Sequence, residues 1–283
     1  MPVAPEVFFL PSGAGQRFCL FHPTQTGAIR GLVLYIHPFA EEMNKSRRMA
    51  AIQARALAGT GYSVLQIDLL GCGDSSGDFG DATWDEWIND VALGLRCLRE
   101  RSGIDGQPMD GVPVWLWCLR TGCLLAVDAA KRIDERFNFL FWQPPTSGKA
   151  LLQQFLRLKI AGDLGSGQGK TVMEDMRKEL RGGSAVEIGG YMLGSGLANG
   201  LESSQLDPSS LQTGGRVEWL EVSTRDGASL SPMAAKTIEL WQSQGFHVRG
   251  RLVHGPSFWH TTEIEDAPDL IVKTLKALSV DVQ

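Results

Sequence analysis

Residues 114–126 constrain the fold of this 283-residue chain more than any other stretch. The first six, Val-Trp-Leu-Trp-Cys-Leu, form the uninterrupted apolar run that is typical of a strand covered on both faces. From Thr121 onward the segment is helix-like, and a single residue, Arg120, separates the two parts. The segment therefore predicts a strand, a sharp turn and a helix in immediate succession.

Strand-like and helix-like segments alternate along most of the chain, which predicts a mostly parallel, doubly wound sheet with helices on both faces. Residues 146–212 break this pattern, because helical pieces there are joined by glycine-rich stretches and no buried strand is recognised. We predict a core formed by residues 1–145 and 213–283, and a helical cap formed by the insertion at 146–212. Predicted strands lie at 7–10, 17–21, 31–37, 62–68, 113–119, 137–142, 215–222 and 247–253.

The composition excludes several classes of function. A net charge of −5, a pI near 5.6 and no basic cluster disfavour nucleic-acid binding. Five cysteines, an odd number, favour reduced thiols over a disulfide framework. We expect no signal peptide, because the first residues lack a basic start and a long apolar stretch. No apolar run reaches the ~18 residues that cross a bilayer, and no zinc-ligand or phosphate-loop spacing is recognised. We expect a cytoplasmic protein with no membrane span, metal or cofactor, and no oligomeric state is predicted.

The sharp turn at Arg120 corresponds to the nucleophile elbow of α/β-hydrolases, where Gly-x-Ser-x-Gly raises a serine hydroxyl above the sheet. Here residues 118–122 are Cys-Leu-Arg-Thr-Gly, so an arginine stands at the serine position. A guanidinium only donates hydrogen bonds and stays charged, so it cannot attack a carbonyl. At a helix N-terminus it is suited to bind an anion. Alternatively, Arg120 bridges an acidic side chain and fills the site.

The other members of a hydrolytic triad are expected after the last two strands, with the acid before the histidine. Asp226 stands at the acid's position, although Asp226 with Gly227 is also a common turn pair. His260 follows the final strand, and His254 competes with it at the same sheet edge. Cys118 is a candidate substitute nucleophile, but a cysteine in such a run is more often a small buried hydrophobe.

The loop after the third sheet strand is expected to supply oxyanion N–H groups, together with the residue that follows the nucleophile position. Two adjacent carboxylates are unusual in such a loop, since they oppose a developing negative charge unless they are paired. Arg120 is a candidate partner. The carboxylates can equally begin the following helix, whose macrodipole favours acidic side chains. The predicted oxyanion and pocket residues are Phe39, Ala40, Glu41, Glu42 and Thr121.

Five segments extend these motifs: His-Pro-Phe-Ala-Glu-Glu-Met-Asn-Lys-Ser-Arg-Arg at 37–48, Leu-Trp-Cys-Leu-Arg-Thr-Gly at 116–122, Phe-Trp-Gln-Pro-Pro at 141–145, Gly-Gly-Tyr-Met-Leu at 189–193 and Gly-Pro-Ser-Phe-Trp at 255–259. Together they resemble the exosortase A system-associated hydrolase 2 family, an α/β-hydrolase-like group of bacteria that make exopolysaccharide and sort proteins by a C-terminal signal. The resemblance covers nearly the whole chain, and the elbow arginine looks like a trait of that family. It implies a cytoplasmic, hydrolase-like protein of envelope or polysaccharide metabolism and no particular substrate.

Two classes of function follow from these residues. The first is a hydrolase or acyl-transfer enzyme that acts on an ester, thioester or amide beneath the cap. His260 is then the base that activates water, Asp226 orients it, and Arg120 holds an anionic group of a small-molecule or acyl substrate. The second is a non-catalytic binding or scaffolding protein, in which Arg120 pairs with Glu41 or Glu42 and fills the pocket. A lyase that uses His260 and a carboxylate is a third alternative.

Overall fold

The computed structural model describes residues 3–13, 15–103, 111–162 and 169–279. The strands in these ranges are β1 (Glu6–Ser12), β2 (Gly15–His22), β3 (Gly31–Ile36), β4 (Tyr62–Ile67), β5 (Val114–Leu119), β6 (Asn138–Trp142), β7 (Val186–Ile188), β8 (Tyr191–Leu193), β9 (Arg216–Ser223) and β10 (His247–His254). The helices are α1 (Glu41–Ala58), α2 (Trp84–Arg101), α3 (Thr121–Ile133), α4 (Gly148–Gly162), α5 (Gly169–Arg181), α6 (Ser195–Ser203), α7 (Pro232–Ser243) and α8 (Pro268–Ser279).

Eight of these strands form one sheet in the order β1-β2-β4-β3-β5-β6-β9-β10. β2 runs antiparallel to both β1 and β4. The remaining neighbours in this sheet, β4-β3-β5-β6-β9-β10, pair in parallel. Every residue of β3 and β5 is buried, which explains why their sequences are apolar without alternation. The predicted mostly parallel, doubly wound sheet is confirmed.

Successive side chains of the central strands enter two separate cores, one on each face of the sheet. Tyr35 and Trp117 pair in register with ring centroids 4.3 Å apart, and they belong to the core that also contains side chains of α1 and α8. The next pair, Ile36 and Cys118, belongs to the core that contains side chains of α2 and α3. Because the strands are parallel, the loops that follow β3, β5, β6, β9 and β10 meet at one edge of the sheet.

Residues 146–212 join β6 to β9 and contain α4, α5, α6 and the hairpin β7–β8. The predicted helical pieces lie in α4 and α5. The expectation that this segment has no buried strand is wrong, since Val186, Ile188 and Leu193 of the hairpin are buried. The hairpin escapes sequence analysis because each strand has only three residues and two glycines form its turn, so the stretch has the composition of a loop.

Across the described ranges, no helix combines the length and the apolar character that crossing a membrane requires.

Candidate active site

Arg120 lies at the turn between β5 and α3 and adopts a strained backbone conformation. Its φ of 53° is in the left-handed region, which residues with a Cβ rarely adopt. Its N–H donates to Trp142 O at 3.1 Å, which ties the turn to β6. Two residues later, a Cβ on Gly122 would lie 2.3 Å from Ile36 O, so α3 can approach β3 only with a glycine there. The sharp turn predicted from the sequence is therefore present.

The Arg120 guanidinium is turned inward and contacts the Glu42 carboxylate. Nη2 lies 3.2 Å from Oε1, and Nε lies 3.3 Å from Oε1 and 3.4 Å from Oε2. The two side chains are only 12% and 13% exposed. Nη2 also donates to Gln154 Oε1 of α4 at 3.2 Å. Glu42 therefore lies in the first turn of α1 and also neutralises the elbow arginine. Both interpretations drawn from the sequence, a helix-start residue and a partner of Arg120, apply to this carboxylate.

His260 is hydrogen-bonded to the same carboxylate. Its Nε2 lies 2.6 Å from Glu42 Oε1, and its side chain is 55% exposed. Because a carboxylate only accepts hydrogen bonds, Nε2 carries the proton and Nδ1 is the basic nitrogen of the neutral imidazole. Glu42 Oε1 thus joins the elbow arginine to the histidine that follows the last strand.

Asp226 does not take part in this arrangement, which corrects its predicted role as the orienter of His260. Its side chain is fully exposed in the turn after β9, and its Oδ1 lies 3.8 Å from Nδ1 of His254, which is also exposed. Gly227 beside it has a φ of 67°, as the turn interpretation requires. Of the two competing histidines, His260 lines the cavity described below, and Glu42 takes the contact expected of Asp226.

Cys118 is unsuited to act as a nucleophile, which corrects that candidate assignment. It is completely buried on the face of the sheet covered by α2 and α3, and its Sγ donates to Leu116 O at 3.3 Å. Burial, with a smaller contribution from the neighbouring Cys123 thiol, raises the pKa of Cys118 well above its ordinary value. The reactive thiolate is therefore suppressed.

The predicted oxyanion residues lie on either side of the elbow. Phe39 and Ala40 precede α1 and line the cavity, and Ala40 has a φ of 53°. Thr121 is the first residue of α3, where N–H groups have no acceptor within the helix. Its hydroxyl is buried and has no hydrogen-bond partner among the described residues.

A buried histidine holds the loop before α1 in place. His37 Nε2 accepts from Leu69 N–H at 3.1 Å, and Nδ1 lies 2.6 Å from Pro38 O. Burial lowers the pKa of His37 and keeps it neutral, as these two contacts require. His37 therefore connects the end of β3 to the end of β4.

The loop that carries His260 is held by one face of α1. Lys45 Nζ donates to Thr261 O at 2.7 Å, and Arg48 forms a two-pronged ion pair with Asp266 at 2.8 and 2.9 Å. Together with Glu42, these side chains recur every three residues along the helix and so share a face. α1 therefore supplies both the partner of the histidine and the anchor of its loop.

A cavity of about 600 Å³ lies at this edge of the sheet, between the elbow, α1, α4 and the loop after β10. Sequence analysis predicted a helical cap over the pocket but named none of the α4 residues that line it. The spacing of Leu151, Phe155 and Leu158 along one helical face is the signal that could have identified it. The apolar lining residues are Phe39, Ala40, Leu151, Phe155, Leu158 and Trp259; the polar ones are Glu41, Glu42, Lys45, Arg120, Gln143, Gln154, Ser257 and His260.

Neither the cavity nor any other part of the chain that the structure describes brings together three or more His, Cys, Asp or Glu side chains that could hold a metal.

Comparison with known structures shows that this is the α/β-hydrolase fold and so confirms the predicted fold class. A soluble variant of monoglyceride lipase from Saccharomyces cerevisiae superposes with a TM-score of 0.64 at 16% identity, covering 98% of this chain and 96% of that chain. Est1E from Butyrivibrio proteoclasticus, with ferulic acid bound, superposes with a TM-score of 0.64 at 14% identity, covering 95% and 98%. A carboxyl esterase from Bacillus coagulans gives 0.62 at 11% identity, covering 98% and 99%.

Sequence comparison is less extensive. Human protein ABHD12B is 30% identical over 105 residues, which are 37% of this chain and 26% of that protein, so the match spans about a quarter of the relative's length. No family model matches the chain. The resemblance to the exosortase-associated family is accordingly not confirmed.

Proposed function

We propose that this protein is a hydrolase that cleaves an ester, thioester or amide in the cavity beside Arg120. The observation that carries the proposal is the 2.6 Å contact between His260 Nε2 and Glu42 Oε1. It gives the chain a carboxylate-supported imidazole at the sheet edge where enzymes of this fold carry out catalysis. The esterases and the lipase with similar folds favour an ester. Residues 146–212 act as the cap, since α4 contributes one wall of the cavity.

In the proposed mechanism a water molecule takes the place of the missing serine. His260 Nδ1 accepts a proton from water, and the water oxygen forms a bond to the carbonyl carbon. Glu42 stabilises the resulting imidazolium through Nε2–H, and backbone N–H groups of Phe39 and Thr121 stabilise the oxyanion. When the tetrahedral intermediate collapses, the imidazolium returns the proton to the leaving oxygen, sulfur or nitrogen. No acyl-enzyme forms.

The biological setting is proposed from the sequence alone. The segments at 37–48 and 255–259 resemble the exosortase A system-associated hydrolases, so we place the activity in bacterial exopolysaccharide or envelope metabolism and in the cytoplasm. The helix α1 that begins in the first of these segments carries Glu42, and the second directly precedes His260. Glu42 therefore lies within one of the stretches that carry the resemblance, and His260 lies next to another.

Hydrolysis of p-nitrophenyl esters and aryl thioesters tests this proposal. We expect His260→Ala to lower kcat/KM on the order of 100-fold, the usual contribution of a general base. His254→Ala is the matched control, because His254 is an exposed histidine outside the cavity, and should retain the wild-type rate. Mass spectrometry of the intact protein during turnover should show no acyl adduct. Equal rates in all three proteins, or a covalent adduct on a serine, would contradict the mechanism.

A second candidate function is a non-catalytic binding or scaffolding protein. It is favoured by the ion pair between Arg120 and Glu42, because Glu42 engages both Arg120 and His260 and so fills part of the cavity. This candidate predicts no hydrolysis by the wild type above the rate of His260→Ala.

A further inference from the structure

The two partners of Glu42 hold it with unequal geometry. His260 Nε2 approaches Oε1 to 2.6 Å, whereas the Arg120 nitrogens stay 3.2 to 3.4 Å away. Hydrogen bonds between a guanidinium and a carboxylate are usually about 2.7–2.9 Å long. The position of Glu42 in the first turn of α1 allows a short hydrogen bond to His260 but only long ones to Arg120. Arg120 is therefore the partner that an untethered carboxylate can take over.

Glu42 keeps favourable surroundings when Arg120 turns to another anion. His260 remains bonded to it, and Lys45, one turn further along α1, lines the same cavity. The Lys45 ammonium donates to Thr261 O at 2.7 Å, and Lys45 lies three residues from Glu42 on the same helical face, so its positive charge is near the carboxylate. The first turn of α1 also favours a negative charge. Breaking a buried ion pair is costly when it leaves one charge without a partner. When Arg120 leaves Glu42 for another anion, neither the guanidinium nor the carboxylate is left in that state.

The rest of the cavity fits an apolar group attached to that carboxylate. Leu158 lines the cavity and is 56% exposed, although it continues the apolar face of α4 formed by Leu151 and Phe155. Trp259 also lines the cavity and is buried. An apolar arm in the cavity would shield the exposed Leu158 from water.

We infer that Arg120 is a carboxylate receptor that Glu42 occupies in the free protein, and that the cavity takes a monoanion with a carboxylate head and an apolar arm. On binding, the ligand carboxylate replaces Glu42 at the guanidinium, while Glu42 stays with His260. The inference deepens the proposed function and rests on it for the chemistry. The substrate is then an ester, thioester or amide whose acid or leaving part carries a second, free carboxylate.

Calorimetric titration with octanoate and with octanamide tests the inference, because neither ligand requires turnover. Octanoate should bind at least about tenfold more tightly than the neutral amide, which is a difference of 1.4 kcal/mol. Arg120→Gln should abolish that preference. Arg157→Gln removes the same charge from an exposed position on α4 that does not line the cavity, and should preserve it.

Glu42→Gln provides a change of the opposite sign. Removing the competing carboxylate should tighten octanoate binding by about tenfold and leave octanamide binding unchanged, a gain that a misfolded variant cannot give. Equal affinity for the two ligands in the wild type, or weaker octanoate binding in Glu42→Gln, would overturn the inference. Octanoate binding without ester hydrolysis would refute only the proposed function. Hydrolysis of neutral esters without octanoate binding would refute only the carboxylate receptor.

Discussion

Glu42 Oε1 and His260 Nε2 lie 2.6 Å apart although 218 positions separate the two residues in the chain. The contact forms because α1 begins directly after the β3 loop and the last loop of the core folds back over this helix. An acid that sequence reasoning places after β9 is thus supplied from the first turn of α1. The difference changes which substitutions should affect activity.

The exposed carboxylate after β9 should be dispensable. Asp226 is fully exposed and its Oδ1 lies 3.8 Å from Nδ1 of the exposed His254, so we expect Asp226→Asn to change kcat/KM for ester hydrolysis by less than about twofold. Steady-state kinetics checks this directly. A large loss with an unchanged melting temperature would restore Asp226 as the orienting acid and refute the assignment to Glu42.

Two buried threonines should respond oppositely to the change to valine. Thr121 Oγ1 has no partner among the described residues, so Thr121→Val should leave the free energy of unfolding unchanged or raise it by up to about 1 kcal/mol. Thr274 Oγ1 accepts from Trp142 Nε1 at 3.0 Å, so Thr274→Val leaves a buried donor unpaired. This variant should lower the free energy of unfolding by about 1–3 kcal/mol. Urea unfolding of the two variants measures both values. Equal losses would mean that the Thr121 hydroxyl has an acceptor in solution.

Stability should fall in mildly acidic solution because of His37. Burial lowers its pKa in the folded protein below the value of 6.5 expected in the unfolded chain. Below about pH 6.5 the unfolded chain binds more protons at this position than the folded protein does, so the free energy of unfolding decreases as the pH falls. The loss approaches about 1.4 kcal/mol for each unit by which the pKa is lowered.

The variant His37→Gln isolates this contribution. The difference in unfolding free energy between wild type and variant should shrink between pH 7 and pH 5, measured by urea unfolding at each pH. His247→Gln, at an exposed histidine hydrated in both states, is the matched control. A difference that stays constant over this range for His37→Gln would contradict the assignment.

Sequence patterns were sufficient for the frame of the protein because local and long-range requirements agree there. β3 and β5 are apolar throughout because both faces are covered, and Arg120 marks the turn because α3 starts at the next residue. The hairpin β7–β8 was missed because three-residue strands leave no period to detect. The order and type of the main elements therefore follow from apolar runs, helical periodicity and turn residues.

The site was predicted only in part, because side-chain contacts between distant segments have no local signal. The candidates Arg120, Glu42 and His260 do meet, and pairing of the elbow arginine with a neighbouring glutamate was one of the alternatives drawn from the sequence. The turn pair Asp226-Gly227 is a local sign of an exposed turn, but the sequence does not decide between that turn and a triad acid. Motif position suggested a triad acid there, whereas the geometry of α1 determines which carboxylate reaches the histidine.

The central claim, that Glu42 acts through His260, is tested most directly by a double-mutant cycle on kcat/KM with Glu42→Gln, His260→Ala and the combined variant. Glu42→Gln alone should lower kcat/KM by about 10- to 100-fold, and Glu41→Gln, the adjacent control bonded to Tyr191, should have a much smaller effect. Because the two groups act as one unit, the double variant should be no slower than His260→Ala alone. Losses that multiply in the double variant would show that the carboxylate and the imidazole act independently, and would contradict the account.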